Sequence, residues 1–173
     1  MKIALTGGIA CGKSLLSQYL RESGVEIIDA DDIVHSIVPA EERRRLAKTV
    51  FADPEARKAL EGRVHPLVHA KIGEFWARKP PDVLGIAVIP LLFEVHWDGE
   101  YDIICTVTSP KEAQVSRMME SRGYSREEAE ARIAAQMPVG EKAARSHYTI
   151  ENNGSAAKLR DSAKRFVEWI RSR

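Results

Sequence analysis

The run Thr6-Gly7-Gly8-Ile9-Ala10-Cys11-Gly12-Lys13-Ser14 constrains this chain more than any other stretch. It satisfies G-x-x-x-x-G-K-[ST], and each fixed position has a physical reason. Gly7 and Gly12 reach backbone angles closed to other residues, so successive N–H groups can converge on one anion. Lys13 can reach the outer phosphates of a nucleoside triphosphate, and the Ser14 hydroxyl suits a magnesium ion. The short apolar run Lys2–Leu5 ahead of it reads as a buried strand. Lys13–Ser23 behind it reads as a helix closed by Gly24, whose positive N-terminal end faces the same anion.

Composition narrows the rest. At 173 residues the chain has one domain's length, enough to bury a core. A formal net charge of +1 gives no global attraction to nucleic acid or anionic lipid, so neither partner is expected. No apolar run approaches the roughly 18 residues of a membrane span, and the first residues enter a strand without room for a leader. Cys11 and Cys105 lack metal-like spacing, so a reduced, cytoplasmic setting is expected.

Strand-like runs at Lys2–Leu5, Glu26–Ile28, Leu84–Ile89, Ile103–Val107 and Tyr148–Ile150 alternate with helical stretches. That rhythm predicts an α/β fold with a five-stranded parallel sheet and crossover helices. Asp53-Pro54 offers a helix start. Ser109-Pro110-Lys111-Glu112 and Ser125-Arg126-Glu127-Glu128 both fit a capping box. A last helix from about Ser155 carries Leu159, Ala163, Phe166, Val167 and Ile170 on one core-facing stripe. Two helical excursions interrupt the core (about 1–33, 79–116 and 146–173). One, about 34–78, holds Arg43-Arg44-Arg45 and a break at His65-Pro66, and is expected to clamp an acceptor. The other, about 117–145, is expected to close as a lid.

Asp29-Ala30-Asp31-Asp32 follows the second strand, at the sheet edge where ligands bind in such folds. Phosphoryl transfer to a hydroxyl needs a carboxylate beside the acceptor, and Asp31 is the candidate base. Extended alternation would put Asp29 and Asp31 on one side, with Asp32 capping the next helix. A purely local capping role for all three is the milder reading. Glu94 ends Ile89-Pro90-Leu91-Leu92-Phe93-Glu94, a loose signal for an acid near magnesium or its waters, with a structural role weighing as much. Arg117, Arg122 and Arg132 could stabilise a transferring phosphoryl, or lie on an ordinary solvated helix face. Asn152-Asn153-Gly154 reads as a turn or as a contact to a base. Cys11 stands before a helix N-terminus, where a thiol pKa can fall, although a small inert filler is the milder reading.

Together these pieces resemble the dephospho-CoA kinase family over nearly the whole chain. The likeness runs through Ala4–Ile9, Gly12-Lys13-Ser14, Ile28-Asp29-Ala30-Asp31, Val50-Phe51-Ala52-Asp53-Pro54, His65-Pro66, Pro90–Glu94, Arg132–Gln136 and Asn152-Asn153-Gly154. The resemblance implies a P-loop NTPase fold of the nucleoside-monophosphate-kinase-like, three-layer kind. It implies transfer of the ATP γ-phosphoryl to the ribose 3′-hydroxyl of dephospho-CoA with Mg²⁺, the last step of coenzyme A synthesis. By that analogy Asp31 stands beside the 3′-hydroxyl, and His65, Leu92 and Glu94 line the acceptor side. Gly8, Ile9, Ala10, Cys11, Gly12, Lys13, Ser14 and Leu15 hold the triphosphate, with Arg117 and Arg122 beside it and Asn153-Gly154 near the adenine. Lys13, Asp31 and the lid's Arg132 carry the chemistry, and Ser14 is the metal ligand. A monomer or weak homo-oligomer is expected.

This chain departs from the family in three places. The family has about twenty more residues between the acidic motif and Val50–Pro54, a shortening that costs little folding stability because loop-closure entropy varies weakly with length. His35 stands where the family commonly has Arg, and Ser146-His147 where it has Ala-Asp. The competing readings are another P-loop small-molecule kinase and a nucleotide binder without turnover, the latter suggested by the short insert. A GTPase switch lacks N-K-x-D, and its only D-x-x-G, Asp82–Gly85, opens the third strand instead of following it.

Overall fold

The computed structural model describes residues 1–39, 41 and 54–173, so Arg43-Arg44-Arg45, Val50–Asp53 and the cap expected at Asp53 lie outside the described residues. Five strands form one sheet: β1 (Ile3–Gly7), β2 (Glu26–Asp29), β3 (Gly85–Val88), β4 (Ile103–Thr108) and β5 (Tyr148–Glu151). All neighbours are parallel and the order is β2-β3-β1-β4-β5. β1 is thus central, and the chain leaves it toward β3 on one side and β4 on the other. The P-loop therefore opens at the crevice where ligands bind in such sheets.

Helices cover both faces: α1 (Lys13–Glu22), α2 (Ala30–Ile37), α3 (Pro54–Arg78), α4 (Lys111–Arg122), α5 (Arg126–Ala134), α6 (Val139–Ala144) and α7 (Ala156–Arg171). Alternate residues of β1 go to opposite layers. Ile3 and Leu5 pack with Leu16 and Leu20 of α1 and Phe166 and Ile170 of α7. Ala4 joins Ile33 of α2 and Val64, Val68 and Ile72 of α3. Strands buried on both faces read as unbroken apolar runs, which is why β1, β3 and β4 stood out in the sequence. The α7 stripe is buried as expected, behind a Ser155 N-cap that accepts from the Lys158 N–H.

Four local expectations are corrected. Pro66 does not break its helix: α3 runs from Pro54 to Arg78 through it. The proline forfeits one backbone bond to residue 62, a glycine, while Leu60, Val64, Val68, Ile72 and Trp76 at every fourth position bury a stripe that offsets the loss. Asp32 is not the cap of α2. Asp29 is, its Oδ1 accepting from the Asp31 N–H at 2.9 Å, so the helix begins at Ala30 and the expected extended alternation ends at Asp29. Ser109 makes no capping box, because its hydroxyl donates to the Asn152 carbonyl and Pro110 takes the cap position. The Ser125 box does form, with both reciprocal bonds. Finally, β3 stops at Val88, and Pro90–His96 is a compact turn, not strand.

Ser146 and His147 serve the sheet. His147 Nδ1 accepts from the Ile104 N–H at 3.0 Å while its own N–H donates to Ile104 O at 2.9 Å, extending the β4–β5 ladder. Ser146 Oγ lies 2.6 Å from Thr106 Oγ1.

Candidate active site

The P-loop backbone has the curvature the motif demands. Gly7 has φ 144°, Gly12 has φ 94° and Ala10 has φ 56°. At the two glycines close packing adds a second constraint: a Cβ would collide with the Val107 carbonyl at Gly7 and with the Asn152 amide at Gly12. Lys13 Nζ donates to Gly7 O at 2.9 Å and Gly8 O at 2.8 Å, curled over the loop it serves. Burial lowers its pKa, partly opposed by the charges of Cys11, Asp31 and Asp29. Ammonium at this position is under-solvated, and an incoming anion would relieve it.

Around the loop, one arginine makes three bonds. Arg117 Nη1 donates to Ala10 O at 3.0 Å and to Ser109 Oγ at 2.7 Å, and Nη2 donates to Asn152 O at 3.0 Å. Asn152 Nδ2 donates to Cys11 O at 2.9 Å, closing the clasp from the other side. Arg117 is thus rooted in the core at the base of the lid. Asn152, read as part of a turn, bridges β5 to the P-loop.

A cavity of about 620 Å³ holds Ile9, Ala10, Gly12, Lys13, Ser14 and Leu15 on one wall. Asp31, Pro90 and Leu91 form another wall, and Arg117, Ser121, Arg122 and Gln136 a third. The structure therefore brings together Lys13, Ser14, Asp31, Arg117 and Arg122. A carboxylate and a phosphate-binding lysine lining one cavity are the groups that transfer to a hydroxyl requires. Burial raises the pKa of Asp29, so of the two acids after β2 it is the more confined, committed to its capping bond.

Other expected residues lie elsewhere. Arg132 stacks on the Tyr124 ring at 4.3 Å, within the lid and outside the cavity wall. Asn153 and Gly154 line a separate hollow of about 330 Å³ between β5 and α7. His35 is exposed on α2 and lines none of the cavities described. Leu92 is core, and its neighbour Leu91 faces the cavity. Glu94 is engaged by Lys142, whose Nζ lies 2.7 Å from Oε1, and it also accepts from the Met137 N–H at 3.1 Å. Lys142 is fully buried and donates to Pro90 O at 2.7 Å as well, so the pair fastens α6 to the turn after β3. Cys11 is fully buried and desolvation raises its pKa, the reverse of the lowering a helix N-terminus alone predicts.

Three participants escaped the sequence reading. Gln136 Oε1 accepts from the Ile9 N–H at 2.9 Å, linking lid and P-loop; it sat at the end of the Arg132–Gln136 run with no chemical signal of its own. Lys142 looked like one more charge on a solvated helix. Trp97 lines an acceptor-side cavity with Asp31 and His65. An aromatic just past the Pro90–Glu94 run was the only hint.

The fold and its P-loop define a P-loop kinase. Solved structures of similar shape include shikimate kinase from Acinetobacter baumannii, with a TM-score of 0.63 at 22% identity, a likeness of fold alone. Nearer are dephospho-CoA kinase from Campylobacter jejuni and protein TT1252 from Thermus thermophilus. The first has a TM-score of 0.71 at 28% identity, covering 98% of each chain. The second has a TM-score of 0.80 at 36% identity, covering 97% of this chain and 96% of that one. The dephospho-CoA kinase from Symbiobacterium thermophilum is 42% identical over 91% of this chain and 76% of its own. That from Anaeromyxobacter dehalogenans is 36% identical over 98% and 92%. The family profile "Dephospho-CoA kinase" matches residues 1–43 and 39–158. This chain belongs to the dephospho-CoA kinase family. The profile match divides at 39–43, and the Anaeromyxobacter alignment spans 193 positions against 173 residues here, so the relative carries extra residues.

Proposed function

We propose that this chain transfers the ATP γ-phosphoryl to the ribose 3′-hydroxyl of dephospho-CoA, giving coenzyme A. One observation carries the reading: Asp31 lines the same cavity as Lys13 and Ser14. Asp31 would accept or orient the hydroxyl proton as oxygen attacks phosphorus in line with the departing ADP. Lys13 would leave the Gly7 and Gly8 carbonyls for the β/γ-phosphates, whose charge restores its solvation. Backbone N–H groups of the P-loop would cradle the phosphates, with the Ile9 N–H released from Gln136 as the anion enters, and Arg117 and Arg122 would meet charge from the lid side. Arg132 would enter only on closure, since it rests on Tyr124. Adenine would lie toward Asn153-Gly154, and His65, which lines a cavity with Asp31, toward the acceptor.

Mg²⁺ fits these residues. Among the described residues no cluster of three or more His, Cys, Asp or Glu could hold a metal alone, whereas Ser14 offers a hard oxygen in the cavity that Asp31 also lines. A magnesium held by Ser14 and substrate phosphates, its other positions filled by water, matches that ion's habit and would neutralise developing charge. We further place the chain as one kinase domain, core about 1–33, 79–116 and 146–173, with the acceptor insert at about 34–78 and the lid at about 117–145. We place it as a cytoplasmic monomer or weak homo-oligomer; among the described residues no helix is long and apolar enough to cross a membrane.

The test is ADP release by purified protein with Mg-ATP, with and without dephospho-CoA, and product identity by mass. Coenzyme A formation is the expected result. Nucleotide binding without transfer would favour loss of turnover through the short insert, and stimulation by a different alcohol would name another acceptor.

A further inference from the structure

Beside Asp31, away from the P-loop, lies a smaller cavity of about 80 Å³. Its wall is apolar apart from Asp31, His65 and Trp97. His65 and Trp97 also belong to a second hollow of about 370 Å³, completed by Pro66, His69 and Ala70. The indole thus borders both spaces. It is only half-buried, and its position is fixed from several directions. The backbone N–H of Trp97 donates to Leu92 O at 3.1 Å and its backbone carbonyl accepts from the Glu100 N–H at 3.1 Å, which fixes the main chain from which the ring projects. His69 packs edge-on to it with centroids 5.0 Å apart and His65 at 6.0 Å. His69 Nε2 in turn lies 2.9 Å from both carboxylate oxygens of Glu100, on the 3₁₀ turn that directly follows Trp97.

We propose that Trp97 is the stacking platform for the purine base of the acceptor, and that His69 and Glu100 are positioning residues that hold its ring. The inference rests on the reading that a nucleoside 3′-hydroxyl sits at Asp31. Base and hydroxyl hang from the same sugar, so the base must settle one ribose ring from that carboxylate. The side facing the P-loop is reserved for phosphate. The other side is the apolar wall that ends at Trp97. T-shaped packing with two imidazoles restrains the ring, and a half-exposed indole so held offers a flat, low-entropy surface to a base. The acceptor's pantetheine arm carries no aromatic ring, so an indole there selects for the base.

The experiment compares Trp97→Ala and Trp97→Phe with the unaltered chain by steady-state kinetics and by calorimetric titration, with the nucleotide site saturated by a non-hydrolysable ATP analogue. The probes are dephospho-CoA, AMP and 4′-phosphopantetheine. Base–aromatic stacking predicts a rise of about 5- to 100-fold in acceptor KM and Kd for Trp97→Ala. The ATP KM should stay unchanged and Trp97→Phe should recover most of the loss. AMP binding should weaken in parallel and phosphopantetheine binding should not. Glu100→Gln and His69→Ala should raise the acceptor KM by less, without lowering kcat at saturating acceptor. An unchanged AMP affinity in Trp97→Ala, or a loss confined to phosphopantetheine, would overturn the proposal. Should Trp97→Ala fail to fold, an AMP affinity in Trp97→Phe that falls as far as one in a Trp97→Leu variant would overturn it equally. Because AMP binding is read without turnover, it decides the platform even if the chain proves not to phosphorylate dephospho-CoA.

Discussion

The phosphate end of the cleft is held by buried polar bonds from three distant segments, whereas the acceptor end is walled by apolar side chains and an exposed His69–Glu100 pair. Ala10, Cys11 and Gly12 are gripped by Arg117 and Asn152. Asp31, His65 and Trp97 instead meet around space. The contrast follows from the ligands. A triphosphate presents the same dense charge to every enzyme of the class, and stabilising it requires dipoles fixed in advance. An acceptor presents a sugar, a base and a long arm, which shape and apolar area recognise. Rigidity belongs at one end and adjustability at the other.

The largest effect should come where the two ends meet. Asp31→Asn should lower kcat by about 10²–10⁴-fold, the range for removing a general base, while the ATP Kd measured by titration stays near normal. Near-normal turnover would remove the carboxylate from the chemistry. Lys13→Ala should lower kcat/KM by about 10²–10³-fold and weaken ATP, leaving acceptor affinity largely intact. Equal losses for both substrates would blur the division between the ends.

A third change probes the fastening of the lid. Glu94→Gln strands the fully buried Lys142 ammonium, and the loss should be about 3 kcal/mol, toward the lower end for breaking a buried pair because Glu94 is partly exposed. A fall in the thermal midpoint by about 6–12 °C would register it. No change in the midpoint would mean that Pro90 O alone satisfies the ammonium. Asn152→Ala should cost less, about 1–3 kcal/mol for a buried bond left unmade, and should raise the ATP KM more than the acceptor KM.

The smallest effect is a pH dependence. Burial raises the pKa of Cys11 and Cys105 above the ordinary thiol value of 9.0 and pushes Tyr101 up from 10.0 to about 12. An acid whose folded pKa is raised contributes stability that is full below the unfolded value and lost as pH climbs toward the folded one. Lys13, with its pKa lowered, runs the other way and stabilises as pH rises. Three groups outweigh one, so denaturant midpoints should fall from about pH 9 upward, and Cys105→Ala should flatten the slope. A midpoint that rises over that range would mean the Lys13 contribution dominates.

Much of this was legible in the chain, and the exceptions share a cause. Strands buried on both faces, the α7 stripe and the P-loop each advertise themselves through local spacing. Asp31 was found because its sequence neighbours place it after β2. Trp97, Lys142 and Gln136 were not, because each gains its role from partners 28 to 127 residues away that no periodicity encodes. Where local rules misled, at Ser109, Pro66 and Cys11, tertiary packing had overridden them, whereas at Asp32 its near neighbour Asp29 took the cap. The Ser109 hydroxyl is taken by Asn152, and Cys11 is sealed in the core.

The clasp around the P-loop also sets an order of assembly. Residues 7–14 are among the first made, yet the groups that fix their shape are Arg117 and Asn152, and β1 completes its pairing only with residues 87–107. A nascent chain therefore carries the whole signature motif through most of its synthesis without a competent phosphate cradle. Competence waits on β5, which brings Asn152 to the loop. A ribosome-arrested fragment ending before Asn152 would contain every P-loop residue and still lack the shape that grips ATP.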